Sequence, residues 1–123
     1  MIIGAGTDIV EKKRIEKVYL KYGDKFLKKI LSSNEVEELE AKPTWQKKIS
    51  YISNNFAGKE SVSKALKTGF SSGLSFNLIE ILRDKQGAPM VNLLGKFSEL
   101  EHRINISLSD INNLSLGFAV IEK

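Results

Sequence analysis

Two short stretches of this sequence carry the residue types that can hold a metal ion against a phosphate. Residues 4–11 read Gly-Ala-Gly-Thr-Asp-Ile-Val-Glu and set a single carboxylate, Asp8, at the end of an apolar segment. Residues 56–65 read Phe-Ala-Gly-Lys-Glu-Ser-Val-Ser-Lys-Ala, in which Glu60 precedes Lys64 by one helical turn. Mg²⁺ takes oxygen ligands and usually accepts one or two carboxylates, leaving its other positions to water and substrate phosphates. Together the two stretches are consistent with a magnesium–phosphate site.

Each stretch alone also has a plainer interpretation. An acid at the start of a helix stabilises the positive end of the helix dipole, which would explain Asp8. Glu60 and Lys64 have the spacing and order of an ordinary surface ion pair, worth only a few tenths of a kcal/mol. Gly4 and Gly6 lack the third glycine of a dinucleotide-binding fingerprint. The residues by themselves leave these alternatives open.

Composition bounds the class of protein. The chain has 123 residues, 41% of them hydrophobic and 28% charged, which predicts one globular domain spanning residues 1–123. The absence of cysteine excludes disulfides and thiolate metal sites and fits a reducing compartment. The first ten residues lack a signal-peptide pattern, and no apolar run approaches the ~20 residues that span a bilayer. We therefore expect a cytoplasmic protein with no membrane partner.

The net charge of +4 is concentrated in one segment. Between residues 12 and 29, only Glu16 and Asp24 oppose eight basic residues, namely Lys12, Lys13, Arg14, Lys17, Lys21, Lys25, Lys28 and Lys29. Such a cluster indicates an anionic partner, whether nucleic acid, membrane surface or acidic protein. A solvated helix face explains the same pattern.

The order of predicted elements indicates an α+β fold with a small antiparallel sheet, because the helices come early, the strands come late, and no βαβ alternation appears. The long helix is predicted from an apolar stripe at Trp45, Ile49, Ile52 and Phe56. The predicted strands cover residues 2–10, 76–82, 90–94, 104–109 and 114–121. The predicted helices cover residues 11–22, 24–31, 33–41, 44–67 and 96–102.

Several motifs occur together and in order along the chain. They are the Gly-x-Gly-Thr-Asp-Ile-Val-Glu run of residues 4–11, Phe-Ala-x-Lys-Glu-x-x-x-Lys-Ala of residues 56–65, Thr68-Gly69, Asp84-x-x-Gly87-x-Pro89, and Ser107-x-Ser109. With these motifs the whole chain resembles the holo-[acyl-carrier-protein] synthases, the short type of 4′-phosphopantetheinyl transferase. The resemblance implies sheets packed around the axis of a homotrimer, with active sites between neighbouring subunits.

The resemblance also implies an activity. The protein would transfer the 4′-phosphopantetheine group of coenzyme A to a serine of apo-acyl carrier protein and release adenosine 3′,5′-bisphosphate. Asp8 and Glu60 would be the Mg²⁺ ligands, and Glu60 and Lys64 the catalytic residues. Lys64 would steady the phosphate charge that develops. The proton acceptor is either Glu60 or a metal-bound water, and the sequence does not choose between them.

The resemblance further assigns binding residues. Coenzyme A would contact Lys59, Lys64, Gly69, Asn55, Asn105 and Pro89. The acidic carrier protein would dock on Arg14, Lys25, Phe26 and Lys29. Relatives commonly carry an arginine at position 55 and a histidine at position 105 that hold the 3′-phosphate of coenzyme A. The neutral Asn55 and Asn105 therefore predict a weaker hold on that phosphate, because charge-assisted hydrogen bonds are roughly twice as strong as neutral ones. Nearby Lys47 and Lys48 are predicted to compensate.

The alternative function is a non-catalytic basic module that binds nucleic acid or an acidic protein through residues 12–29. It would not need Asp8 or Glu60, and its binding would depend steeply on salt. The sequence has no basic strand interleaved with aromatics and no recognisable nucleic-acid motif, which argues against a nucleic-acid partner.

Overall fold

The structure is a computed structural model that describes residues 1–67, 73–98 and 103–123. Over these residues the chain forms five strands and four α-helices, in the order β1 (Ile2–Glu11), α1 (Lys12–Tyr22), α2 (Asp24–Ile30), α3 (Ser33–Glu40), α4 (Trp45–Ala65), β2 (Ile79–Arg83), β3 (Pro89–Leu93), β4 (Arg103–Asp110) and β5 (Leu114–Glu122). The predicted α+β class with antiparallel strands is confirmed.

The strands form two antiparallel sheets rather than the one that was predicted. The larger sheet has the order β1-β5-β4, so the first strand pairs with the last along almost its whole length, from Ile2 opposite Glu122 to Glu11 opposite Leu114. The smaller sheet is the hairpin β2-β3. Helix α4 contacts β1, β5, β4 and β2, so it is the element around which both sheets are arranged.

Local sequence signals set the ends of the helices. Gly23 separates α1 from α2 and adopts φ +57°, a left-handed conformation that other residues rarely take. Ser32 and Glu35 form the predicted capping box at the start of α3, in which each side chain bonds to the other's backbone N–H. Thr44 caps α4 by accepting a hydrogen bond from the backbone N–H of Lys47 at 3.1 Å. The limits predicted for α1 to α4 hold to within about two residues, because such caps act locally.

Helix α4 lies unusually close to the larger sheet because glycines face it. A Cβ placed on Gly4 would lie 1.9 Å from the carbonyl oxygen of Ala65, and one on Gly6 would lie 2.1 Å from the carbonyl oxygen of Ser61. On β5, a Cβ on Gly117 would lie 2.6 Å from the carbonyl oxygen of Ala57. Since side chains alternate along a strand, Asp8 shares the inward face of β1 with Gly4 and Gly6. The close approach therefore carries the second half of α4 up to Asp8.

Two predictions about local structure need correction. Trp45 was expected in the buried stripe of α4, but it is 42% exposed at the start of the helix. There it stacks on Tyr19 and donates to Glu16 Oε2 at 2.6 Å. The strand predicted over residues 76–82 begins instead with a 3₁₀ turn, Phe76–Leu78, and β2 starts only at Ile79. The turn lets the carbonyl of Phe76 accept a hydrogen bond from Lys59, which an extended strand would not present in the same way.

The remaining short helix lies partly outside the described residues. It was predicted over residues 96–102, and the described part is a 3₁₀ turn, Gly95–Phe97. Within the described part of the chain, no helix is long and apolar enough to cross a membrane.

Candidate active site

The structure brings Asp8, Glu60 and Lys64 together: the two carboxylates line one cavity, and Lys64 is bonded to Asp8. Lys64 Nζ donates to Asp8 Oδ1 at 3.1 Å and to the backbone carbonyl of Thr7 at 3.0 Å. Glu60 lies one turn earlier on the same helix, and Asp8 and Glu60 both line a cavity of about 370 Å³. Residues 52 positions apart in the sequence thus form one acidic pair with an ammonium beside it.

The charge of Asp8 acts on the neighbouring carboxyl group of Glu60. Burial raises the pKa of Glu60 above its ordinary value, and the nearby charge of Asp8 raises this pKa further. The ammonium of Lys64 acts in the opposite direction and lowers the pKa of Glu60. Two acids that repel each other at a partly buried site bind a cation more favourably than either would alone.

The donor set fits Mg²⁺ in number and chemistry. Among the described residues, no group of three or more His, Cys, Asp or Glu is placed to form a complete metal site. Two carboxylates facing an open cavity match the preference of Mg²⁺ for few protein ligands with the rest from water and phosphate. Asp8 and Glu60 are therefore able to hold this ion when a phosphate completes its coordination.

Two grooves adjoin the acidic cavity. One, of about 670 Å³, runs between α1 and α2 and is lined by Val18, Tyr22, Lys25, Phe26 and Lys29. The other, of about 650 Å³, passes the stacked rings of Phe56 and Phe76, and its lining also includes Phe26 and Lys29. Phe26 lines both grooves and the acidic cavity, so it stands where the three spaces meet.

Sequence reasoning found part of the first groove and missed the rest. Lys25, Phe26 and Lys29 were predicted to bind a partner, and all three line the groove. Val18 and Tyr22 were not predicted, although their spacing of four residues on a helix could have suggested a shared face. Arg14, predicted with the same group, lines the acidic cavity instead, beside Asp8 and Glu60.

Lys59 was predicted to bind coenzyme A, and the structure corrects this. Its side chain is 0% exposed and Nζ forms an ion pair with Glu35 Oε1 at 2.6 Å. The same nitrogen donates to the carbonyl oxygens of Ile30 and Phe76, so all three of its protons have acceptors. Lys59 therefore joins α4 to α2, α3 and the turn before β2 and is not available to a ligand. From sequence, a lysine beside the acidic residue of a site looks like a phosphate ligand, and only its buried partners show otherwise.

Asn55 also requires correction. It is 0% exposed, and its Nδ2 donates to Glu35 Oε2 at 2.8 Å and to the carbonyl of Ile81 at 3.0 Å. Its Oδ1 accepts from Arg83 Nη2 at 2.8 Å. Every polar atom of the amide is thus engaged within the chain. Of the two lysines predicted to compensate, Lys48 donates to the carbonyl of Leu39 at 3.3 Å, and Lys47 is exposed.

Of the remaining predicted coenzyme A contacts, neither Pro89 nor Asn105 lines the acidic cavity of its own chain. Pro89 is the first residue of β3 and lies in the smaller sheet. Asn105 is exposed on β4, where Nδ2 donates to Glu122 Oε1 at 2.8 Å. Gly69 lies outside the described residues.

Two carboxylates facing a cavity, with a lysine bonded to one of them, are suited to hold a metal ion together with a phosphate group. Comparison with known proteins gives the family. Residues 4–119 match the 4′-phosphopantetheinyl transferase superfamily, and the chain belongs to this superfamily. The predicted transferase class is therefore confirmed, and the alternative of a purely non-catalytic basic module is wrong.

Individual members of the family match this chain over almost its whole length. The holo-[acyl-carrier-protein] synthase of Maridesulfovibrio salexigens is 41% identical, with 100% of both chains covered. The crystal structure of the same enzyme from Neisseria meningitidis is 35% identical and superposes with a TM-score of 0.88, again with 100% of both chains covered. The enzyme of Bacillus anthracis, in complex with CoA (3′,5′-ADP), is 32% identical with a TM-score of 0.85, covering 98% of this chain and 96% of that one.

Replacing Lys59 should affect stability rather than donor binding. Lys59→Met leaves the Glu35 carboxylate buried without its counter-ion, which typically costs about 3–5 kcal/mol of unfolding free energy. Urea denaturation measures this loss, and Lys47→Met, the same change at an exposed position of α4, should leave stability within about 0.5 kcal/mol. The KM for coenzyme A of the folded variant should remain close to that of the wild type. A raised KM with unchanged stability would restore Lys59 as a ligand.

The loss of unfolding free energy in Lys59→Met should also depend on pH. Burial already raises the pKa of Glu35 in the folded protein, and Lys59 opposes this rise. In Lys59→Met the folded state therefore holds a proton on Glu35 that the unfolded state has released, so stability falls as pH rises through the raised pKa. We expect the variant to be less destabilised at pH 5 than at pH 8.

Proposed function

We propose that this protein transfers the 4′-phosphopantetheine group of coenzyme A to a serine of an apo-acyl carrier protein, with Mg²⁺, and releases adenosine 3′,5′-bisphosphate. The observation that carries the proposal is the shared wall between two spaces: Val18 and Phe26 line both the acidic cavity and the basic groove. A protein substrate bound in the groove would thereby present a side chain to the acidic pair. The names of the relatives and the CoA complex of the Bacillus anthracis enzyme support this donor and this acceptor.

The chemistry is a phosphoryl substitution. The serine oxygen forms a bond to the β-phosphorus of coenzyme A, the bond from that phosphorus to the bridging oxygen breaks, and adenosine 3′,5′-bisphosphate leaves with the electron pair. Mg²⁺ bound by Asp8 and Glu60 would neutralise phosphate charge. Lys64 contributes a second positive charge beside the same phosphates. The serine proton passes to Glu60 or to a water molecule next to it. Most of the rate enhancement then comes from positioning and electrostatics.

The groove between α1 and α2 suits an acidic, partly apolar partner surface. Lys25 and Lys29 are exposed on its rim, while Val18 and Phe26 are half-buried in its lining. Rim charges speed and orient the encounter with an oppositely charged partner, and apolar anchors supply affinity. We therefore assign the carrier protein to this groove. Arg14 would act where the carrier serine and the donor phosphates meet.

The outer face of the larger sheet supports a homotrimer. Three large apolar side chains project from it, with Ile9 60%, Leu116 38% and Phe118 44% exposed. They are neighbours, because Ile9 pairs with Leu116 on adjacent strands and Phe118 lies two residues along β5. Apolar faces of this kind mark protein interfaces more often than free surface. Assembly through this face would allow Asn105 or Pro89 of a neighbouring subunit to reach the donor.

Removing either carboxylate should abolish transfer without unfolding the protein. We expect Asp8→Asn and Glu60→Gln each to lower kcat/KM by about a hundredfold or more, since each removes a ligand that stabilises transition-state charge. The double variant should lose little more, because ligands of one ion act as a unit. Mass spectrometry of the carrier measures transfer, and circular dichroism checks the fold. Glu11→Gln, an exposed acid on the same strand, is the control; near-normal activity of Asp8→Asn would refute the metal assignment.

Charge reversal in the groove should affect the carrier and not the donor. We expect Lys25→Glu with Lys29→Glu to raise the KM for the carrier protein by about tenfold and to weaken its salt dependence. The KM for coenzyme A should stay the same. Lys28→Glu, which lies on the same helix outside the groove lining, should have little effect on either. Equal changes in both KM values would assign the groove to the donor.

Arg14→Glu should behave differently from the groove variants. Because Arg14 lines the acidic cavity, its reversal is expected to raise the KM for both substrates. An effect confined to the carrier protein would return Arg14 to the docking groove.

A charge on the outer sheet face should dissociate the trimer. Phe118→Lys would place an ammonium within the proposed subunit contact, where its desolvation is costly. Sedimentation velocity should show a trimer for the wild type and a monomer for Phe118→Lys. Leu20→Lys, the same change at a 69% exposed position of α1, should remain trimeric. A wild-type monomer would rule out the proposed assembly.

A further inference from the structure

Lys64 is hydrogen-bonded to a carboxylate oxygen of Asp8, one of the two proposed metal ligands. Its Nζ is bonded to Asp8 Oδ1 and to the carbonyl of Thr7, at 3.1 and 3.0 Å. Glu60, one turn earlier on α4, faces the same cavity as Asp8. An ammonium and a divalent cation would thus address the same carboxylate.

We propose that Lys64 is the built-in counter-ion of Asp8, and that Mg²⁺ entering between Asp8 and Glu60 displaces its ammonium toward the donor phosphate. The inference rests on the proposed function, which assigns Asp8 and Glu60 to the metal. It adds an order of events: the residue that neutralises phosphate charge is released by the ion that binds beside it.

The two partners of this ion pair differ in their freedom to move. The side chain of Lys64 is 54% exposed, whereas that of Asp8 is 20% exposed. Exposed ion pairs contribute little to stability, so the bond to Asp8 is readily exchanged for another. Lysine also has a long flexible stem, which lets its charge move several ångströms while the backbone stays in place. The backbone of α4 is fixed here, because Gly6 packs against the carbonyl of Ser61. The ammonium is therefore the part that moves.

Electrostatics give the direction of that movement. A divalent cation and an ammonium on one carboxylate repel each other strongly at distances near 4 Å. The pyrophosphate of coenzyme A offers the displaced ammonium new oxygen partners. Metal and donor should consequently bind with positive cooperativity, each removing part of the cost of binding the other.

Replacing Lys64 by an uncharged residue should have opposite effects on Mg²⁺ binding and on transfer. Removing the ammonium should strengthen binding of Mg²⁺ alone, because the ion no longer competes for Asp8. The same change should weaken transfer, because the donor phosphates lose a positive charge. A lysine that only bound phosphate would weaken transfer without strengthening the metal.

Isothermal titration calorimetry with Mg²⁺ tests the proposal on the full-length protein in the absence of coenzyme A. We expect Lys64→Met and Lys64→Gln to bind Mg²⁺ about two- to fivefold more tightly than the wild type. Lys47→Met removes the same charge from an exposed position on α4 and should bind like the wild type, which controls for net charge. A second titration with coenzyme A present should show a larger gain in Mg²⁺ affinity for the wild type than for Lys64→Met.

The possible results distinguish a failure of the proposed displacement from a failure of the metal assignment. Equal or weaker Mg²⁺ binding by both Lys64 variants, with normal binding by the wild type, would overturn the displacement and leave the metal site intact. Wild-type binding that Asp8→Asn does not weaken would instead overturn the metal assignment and the displacement together. An affinity gain of the same size in Lys47→Met would show a net-charge effect and would also overturn the displacement.

Discussion

The close packing of α4 against β1 and β5 is the constraint on which the rest of the structure depends. Gly4, Gly6 and Gly117 allow backbone to approach backbone, and a Cβ at Gly4 would lie 1.9 Å from a carbonyl oxygen of the helix. Added atoms in such a contact typically cost 1–3 kcal/mol or more and shift the elements apart. Since Asp8 is on the strand and Glu60 and Lys64 are on the helix, the same shift would separate the acidic pair. Fold stability and site geometry therefore depend on one contact.

A second constraint lies behind the site, in the buried group formed by Glu35, Lys59 and Asn55. Lys59 connects α4 to the end of α2 and to the turn at Phe76, and Phe76 in turn stacks on Phe56 beside the acidic cavity. A fully bonded buried network is rigid, and losing one member leaves charges without partners. The network thereby holds the basic groove of α2 in a fixed position relative to the acidic pair. The proposed transfer from a small donor to a protein acceptor would require this fixed geometry.

The basic residues of this chain lie in different surroundings. Lysine and arginine residues in this chain look alike in sequence, but their surroundings give them different roles. Lys59 is buried and structural, Lys64 lies beside the acidic pair, and Arg14 lines the same cavity. Lys25 and Lys29 are exposed on the rim of the groove that we propose binds the carrier protein, where charge would act on the encounter. Exposure and available acceptors, rather than residue type, separate these roles.

Elements with strong local signals, and site residues that lie in recognisable motifs, could be predicted from the sequence. Gly23, the Ser32–Glu35 capping box and the alternating strands set most boundaries, because caps and periodicity act within a few residues. The acidic pair was also found from sequence, through the resemblance. Which polar residues are buried depends on contacts between distant parts of the chain. Lys59 and Asn55 lie next to site residues in the chain, but Glu35 and Ile81, 20 or more residues away, take up their hydrogen bonds. Partners that meet only through folding leave no local pattern, so burial of these side chains was not visible in the sequence.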